Sequence, residues 1–158
     1  MHITWGMTNQ SQNTPTATVQ PAVTPECGNP TRIIIADSDA AFISSLQSYL
    51  VSQPSFNVIA NVESCMDALI WCEELSPDVL ILDWHLMFEG LLPSEMKGMP
   101  LLKRLKSLKK PPAVIIASRL NLDDHRETAI HAGADEFMPK SKFPQLVRPM
   151  IKRLVPQF

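Results

Sequence analysis

Apolar residues along this chain fall into two alternating rhythms. Short unbroken runs, such as Ile33-Ile34-Ile35-Ala36 and Val79-Leu80-Ile81-Leu82, read as strands buried on both faces. Between them, apolar residues recur at helical spacing. Phe42, Ile43, Leu46 and Leu50 make one stripe, and Met66, Leu69, Ile70 and Leu75 make a second. Leu101, Leu102, Leu105 and Leu108 make a third, and Phe143, Leu146, Val147, Met150, Ile151 and Leu154 close the chain with a fourth. The expected strands are Arg32–Asp37, Phe56–Val62, Asp78–Asp83, Ala113–Ala117 and Asp135–Met138. A further helix is expected over Asp123–Ala132.

Punctuation supports these boundaries. Asp39 is placed to cap the first helix, and Glu63 or Ser64 to open the second, which Pro77 stops. The third helix is expected to end in Lys106, Lys109 and Lys110, a match to the negative end of its dipole. Pro111-Pro112 forces an extended entry into the fourth strand, and Gly133 stops the helix before the fifth. Five strand–helix units predict an α/β fold, a doubly wound parallel sheet with helices on both faces. The flavodoxin-like (βα)5 strand order 2-1-3-4-5 is the natural solution.

Residues 1–30 break the pattern. They hold Pro15, Pro21, Pro25 and Pro30, with many Thr, Gln and Asn and a single formal charge on Glu26. Such a segment buries too little apolar surface to offset its ordering entropy, so a largely disordered tail is expected ahead of a domain over 31–158. Trp5 and Met7 read as an incidental apolar start or a short docking patch.

Composition narrows the function classes. With 158 residues, 45% apolar, 19% charged and a net charge of −2, the chain has a globular composition without a nucleic-acid footprint. No run approaches the ~20 apolar residues of a membrane span, and no secretory leader pattern opens the chain. A cytoplasmic protein is the expectation. Cys65 and Cys72 would lie ~10.5 Å apart along one helix face, too far for a disulfide, and read as small buried hydrophobes. Cys27 reads as a free thiol in the tail, and no spacing suggests zinc.

The chemistry gathers at strand ends. Asp37 closes the first strand, Asp83 the third, Ser118 follows the fourth and Lys140 the fifth. Ligands of open α/β sheets collect beyond the carboxyl ends of the strands, and two acids there make an anionic pocket suited to a hard divalent cation. Singly, Lys140 would be a solvated charge and Ser118 a turn residue; in this order they point to one site.

At these residues, 32–154 resembles the receiver domain of two-component response regulators. The matching pieces are Ile-Ile-Ala-Asp-Ser-Asp (34–39), Pro-Asp-Val-Leu-Ile-Leu-Asp (77–83), Val-Ile-Ile-Ala-Ser (114–118) and Ala-Gly-Ala-Asp-Glu-Phe-Met-Pro-Lys (132–140). The resemblance implies a chemotaxis-regulator-like phosphoprotein, not itself an enzyme beyond promoting its own phosphorylation and dephosphorylation. Asp83 takes the position that accepts a phosphoryl group from a histidine kinase or phosphotransfer protein. Mg²⁺ is implied as cofactor, held by Asp37, Asp83 and the backbone carbonyl of His85. Lys140 and Ser118 would stabilise the phosphoryl oxygens. Ser118 and Phe137, an aromatic without a hydroxyl, would be the switch that signals to a downstream protein partner. The face formed by the fourth helix, fifth strand and fifth helix is implied for docking or homodimerisation. A solvated face remains the plainer reading of its Lys142, Arg148, Lys152 and Arg153.

Two departures qualify the resemblance. Ser38 stands where the family carries a second acid, so the metal site loses a charge. Asp39 either swings in to replace it or caps the helix. An insertion of ~7 residues precedes Gly98, within a loop holding Gly90 and Pro93 and apolar residues including Phe88, Leu91 and Leu92. Its apolar residues form a lid, a partner surface or packing of the loop itself. The His85 side chain reads as a ligand or a solvated loop residue, and Trp84 as a gate or a cover. The alternative to a phosphorylated receiver is a pseudo-receiver, an interaction module disabled for phosphorylation by Ser38. An unrelated flavodoxin-like enzyme or nucleotide binder lacks its Gly-rich loop, since Asp37-Ser38-Asp39 stands after the first strand. No DNA-binding module follows Leu154 in the sequence, so no direct nucleic-acid contact is expected from this chain.

Overall fold

The computed structural model describes residues 17–19, 28–87 and 99–156. Six strands form one sheet: β1 (Ala17–Val19), β2 (Thr31–Ala36), β3 (Phe56–Val62), β4 (Val79–Asp83), β5 (Ala113–Ser118) and β6 (Glu136–Pro139). They lie in the order β1-β3-β2-β4-β5-β6. From β3 to β6 every pairing is parallel, so those five strands follow the expected 2-1-3-4-5 order. Helices α1 (Ala40–Val51), α2 (Cys65–Leu75), α3 (Met99–Lys106), α4 (Asp123–Ala132) and α5 (Phe143–Leu154) connect or follow them.

Alternation along each strand divides the core. Ile33, Ile35, Val79 and Ile81 face Phe42 and Leu46 of α1 and Val147 and Ile151 of α5. Ile34, Ala36, Leu80 and Leu82 face Leu69 of α2, Leu102 of α3 and Ala129 of α4. A residue period of two therefore feeds both layers from one continuous apolar run, the property that made those runs visible.

Several details differ from expectation. Ala17–Val19 falls within the segment expected to be disordered, yet it pairs antiparallel with Ala60–Val62 at the sheet edge. Trp5, Met7 and Cys27 lie outside the described residues, as do residues 88–98, which hold the expected insertion. Helix α3 ends at Lys106, before Lys109 and Lys110. Helix α2 ends on Ser76 in the left-handed region (φ 47°), one residue ahead of Pro77. The end of α4 is as expected: Gly133, at φ 112°, donates its N–H to the last turn. Helix α5 runs through Pro149, with Val147, Met150 and Ile151 buried around it. Cys65 and Cys72 are both buried, and burial pushes the Cys72 thiol up to about 12.

Candidate phosphoacceptor site

Parallel strands that stop in register deliver their last residues to one edge. Ala36 pairs with Leu82, and Asp83 pairs with Ala117, so Asp37 and Ser118 follow on either side of Asp83. Lys140 leaves β6 beyond them. Asp37, Asp83, Ser118 and Lys140 are all buried, at 2%, 3%, 2% and 8% exposure. The structure thus collects at one edge the four polar residues that the sequence placed at strand ends.

Lys140 is the hub. Its Nζ lies 2.6 Å from Asp37 Oδ2 and 2.7 Å from Asp83 Oδ1. The same ammonium sits 4.6 Å from the centre of the Phe42 ring, a cation–π contact that fixes its fourth side. The other carboxylate oxygens take backbone donors: Asp39 N–H to Asp37 Oδ1 (2.8 Å), and His85 and Leu86 N–H to Asp83 Oδ2 (3.0 and 3.2 Å). Two carboxylates share one ammonium, so the buried cluster keeps a negative charge. Burial pushes the Asp37 carboxyl above the usual range, and the Asp83 charge adds to this against the pull of Lys140 and the Asp39 amide. Asp37 Oδ2 is buried against the Lys140 ammonium and has no second partner among the described residues. Such an oxygen is a natural ligand for a hard cation.

Asp39 takes the capping role. Its Oδ1 accepts from Ala41 and Phe42 N–H at 3.1 and 3.2 Å, and its Oδ2 pairs with Arg119 Nη2 at 2.8 Å. Both oxygens are therefore occupied, one by the first turn of α1 and the other by Arg119. The Phe42 amide, followed by Arg119, holds the Asp39 carboxyl below the usual range. Ser38 is exposed, and so is the His85 side chain, as a loop histidine would be. Among the described residues, no three acidic, histidine or cysteine side chains converge on a metal position. Mg²⁺ commonly binds through only one or two carboxylates plus waters, so Asp37 and Asp83 remain a sufficient pair.

Ser118 Oγ accepts from Leu120 N–H at 3.1 Å and lies 3.4 Å from His125 Nδ1. The His125 ring stacks on Trp84, with centroids 4.1 Å apart and planes 9° from parallel. Trp84 is buried against α4, and its backbone N–H donates to Ala117 O of β5 (2.8 Å). Phe137 is fully buried on β6, and the Arg126 guanidinium lies 5.3 Å from its ring centre. Sequence reasoning singled out neither Arg119 nor His125. Their one signal was position, immediately after the strand-end serine and in the first turn of the next helix.

Comparison with known proteins agrees with this arrangement. The profile of the response regulator receiver domain matches residues 33–152. The chemotaxis protein CheY of Bacillus subtilis is 30% identical over 109 residues, covering 69% of this chain and 84% of that protein. A protein-glutamate methylesterase/protein-glutamine glutaminase of Alkalilimnicola ehrlichii is 28% identical over 111 residues, 69% of this chain. The chain spans only 26% of that enzyme's length. Among solved structures, a putative response regulator from Chloroflexus aurantiacus superposes with a TM-score of 0.69 at 21% identity, covering 82% of this chain and all of that one. The response regulator domain of Thermotoga maritima CheB gives 0.62 at 24% identity, over 80% and 97% of the two chains. The profile match over most of the chain and the CheY relative establish that this protein belongs to the response regulator receiver domain family of two-component signalling.

Proposed function

We propose that Asp83 accepts a phosphoryl group from a histidine kinase or phosphotransfer protein and that the modification biases a surface read by a downstream protein. The observation that carries this reading is the buried Lys140 ammonium bridging Asp37 and Asp83 at 2.6 and 2.7 Å. Two backbone amides occupy Asp83 Oδ2, which leaves Oδ1, on the Lys140 side, as the attacking oxygen. Its lone pair forms the new O–P bond, while the bond from phosphorus to the donor's leaving group breaks and that group departs with the electron pair. Lys140 then neutralises charge on the transferred group, as phosphoryl transfer chiefly requires.

Asp37, Asp83 and the His85 backbone carbonyl would hold Mg²⁺, which supplies further positive charge at the phosphoryl oxygens when bound. Ser118 would exchange its present partners for a phosphoryl oxygen and draw its loop inward. Phe137, in the strand beside it, would repack with that loop. Protein partners and a cytoplasmic setting go with this reading. Among the described residues no helix is long and apolar enough to cross a membrane.

The test is incubation with acetyl phosphate and Mg²⁺ followed by intact-mass measurement. One added phosphoryl group is expected in the unmodified protein and none in Asp83→Asn. An unmodified protein that gains no mass contradicts the proposal for small donors.

A second reading, a protein-interaction module that does not use phosphate, is favoured by Ser38 and by the commitment of Asp39 to α1 and Arg119. Ligand charge count helps set the affinity of hard cations, so Ser38→Asp should tighten Mg²⁺ binding in a titration. An unchanged titration removes the charge argument behind this second reading.

A further inference from the structure

Asp83 is 3% exposed, yet its proposed chemistry requires contact with a phosphodonor in solution. Something over the sheet edge must move. The order β2-β4-β5 places Asp83 on the middle strand of three. Asp39 belongs to the loop after β2 and Arg119 to the loop after β5. Their side chains meet at 2.8 Å, so the link between these flanking loops crosses the carboxyl end of β4. The guanidinium carrying that link is 65% exposed. It can therefore leave without opening the core.

We propose that the Asp39–Arg119 ion pair is a strap across the mouth of the acceptor pocket that limits entry of an anionic phosphodonor. The inference rests on Asp83 as phosphoacceptor. The covalent step is unchanged: the donor loses its phosphoryl group to Asp83 and leaves with the electron pair. What the strap governs is how often the donor reaches that position. Arg119 follows Ser118 directly, so movement of Ser118 toward a phosphoryl group also pulls on the strap. Entry and the switch are thereby linked through adjacent residues. An exposed ion pair is weak and screened by salt, which suits a closure that must open repeatedly.

Donor recruitment is the competing role for the Arg119 charge, and the two roles give different results across the variants. Asp39→Asn keeps a side-chain oxygen for capping α1 while removing the charge that holds Arg119. The experiment measures initial rates of mass gain with acetyl phosphate and Mg²⁺ for the unmodified protein, D39N, R119A and the double variant, with D83N as blank. The strap predicts that each single variant gains phosphate about two- to fivefold faster, with no further gain in the double variant. It also predicts that raising salt from about 0.05 to about 0.5 M speeds the unmodified protein relative to the double variant. Equal rates in all variants, absent in D83N, overturn the strap and leave Asp83 as acceptor. A slower R119A beside a faster or unchanged D39N overturns it in favour of donor recruitment. No mass gain in any protein overturns the strap together with the acceptor assignment. R119A carries the decision even where D39N folds poorly, because the Arg119 side chain packs into no core.

Discussion

Carboxylates line both ends of this sheet, but the two ends handle them differently. At the amino end, Asp78 Oδ2 accepts the Arg32 N–H at 2.8 Å and Asp135 Oδ2 accepts the Val114 N–H at 2.7 Å. Each also has a cation of its own, Lys110 for Asp78 at 3.2 Å and Lys106 for Asp135, and all four side chains are between 23% and 57% exposed. At the carboxyl end, Asp37 and Asp83 are almost fully buried and share the single ammonium of Lys140. The amino end therefore ties loops to strand starts, with water screening what charge remains. The carboxyl end stores an imbalance: one negative charge in excess, in a place where charge is costly. An arrangement that stability alone would not select is where chemistry is best sought.

The largest expected effect follows from removing the shared cation. Lys140→Met leaves two buried carboxylates without compensation and should lower stability by about 3–5 kcal/mol, measured by urea unfolding at neutral pH. A loss no larger than that of an exposed pair would place the carboxyl end in the same class as the amino end.

Asp37→Asn should act in the opposite direction. A carboxyl held above its ordinary value of 3.8 binds its proton more tightly in the fold than in the unfolded chain. Stability therefore falls as pH rises from 3.8 through the raised value, and the deficit persists above it. Asn removes that deficit while Asp83 keeps Lys140 paired, so the melting temperature at pH 7 should rise and the acid-side pH dependence should flatten. A lower melting temperature at pH 7 would show that Asp37 is a structural anchor.

Smaller effects belong to the amino end. Asp135→Ala removes the acceptor of the Val114 N–H and should cost about 1–2 kcal/mol in the same unfolding measurement. Lys110→Ala removes only an exposed partner of Asp78 and should change stability by about 0–1 kcal/mol, with the change fading in high salt. A larger effect of Lys110 would erase the contrast between the two ends.

The sequence made the carboxyl end legible for a local reason. Asp37 and Asp83 each terminate a short apolar run, and Ser118 and Lys140 follow two more, so strand periodicity alone carried them to one edge. Parallel pairing did the rest, because strands in register end together. The strap was not legible. Asp39 and Arg119 are 80 positions apart, and nothing near either one announces the other. Their meeting depends on β2 and β5 flanking β4. The stack of Trp84 on His125 is hidden in the same way, since it joins the loop after β4 to the start of α4. Strand β1 escaped notice because three residues in a polar, proline-rich segment leave too short a pattern to see. For Ser38 the family resemblance identified the missing acid, and the cap role of Asp39 was legible from its place just ahead of the first helical stripe.

The central claim is that the imbalance at the carboxyl end is where phosphate is accepted. Treatment with acetyl phosphate and Mg²⁺, then borohydride, converts an aspartyl phosphate to homoserine at the residue that carried it. Peptide mass mapping should find homoserine at position 83 alone. Homoserine at Asp78 or Asp135, or at no position, would contradict the account.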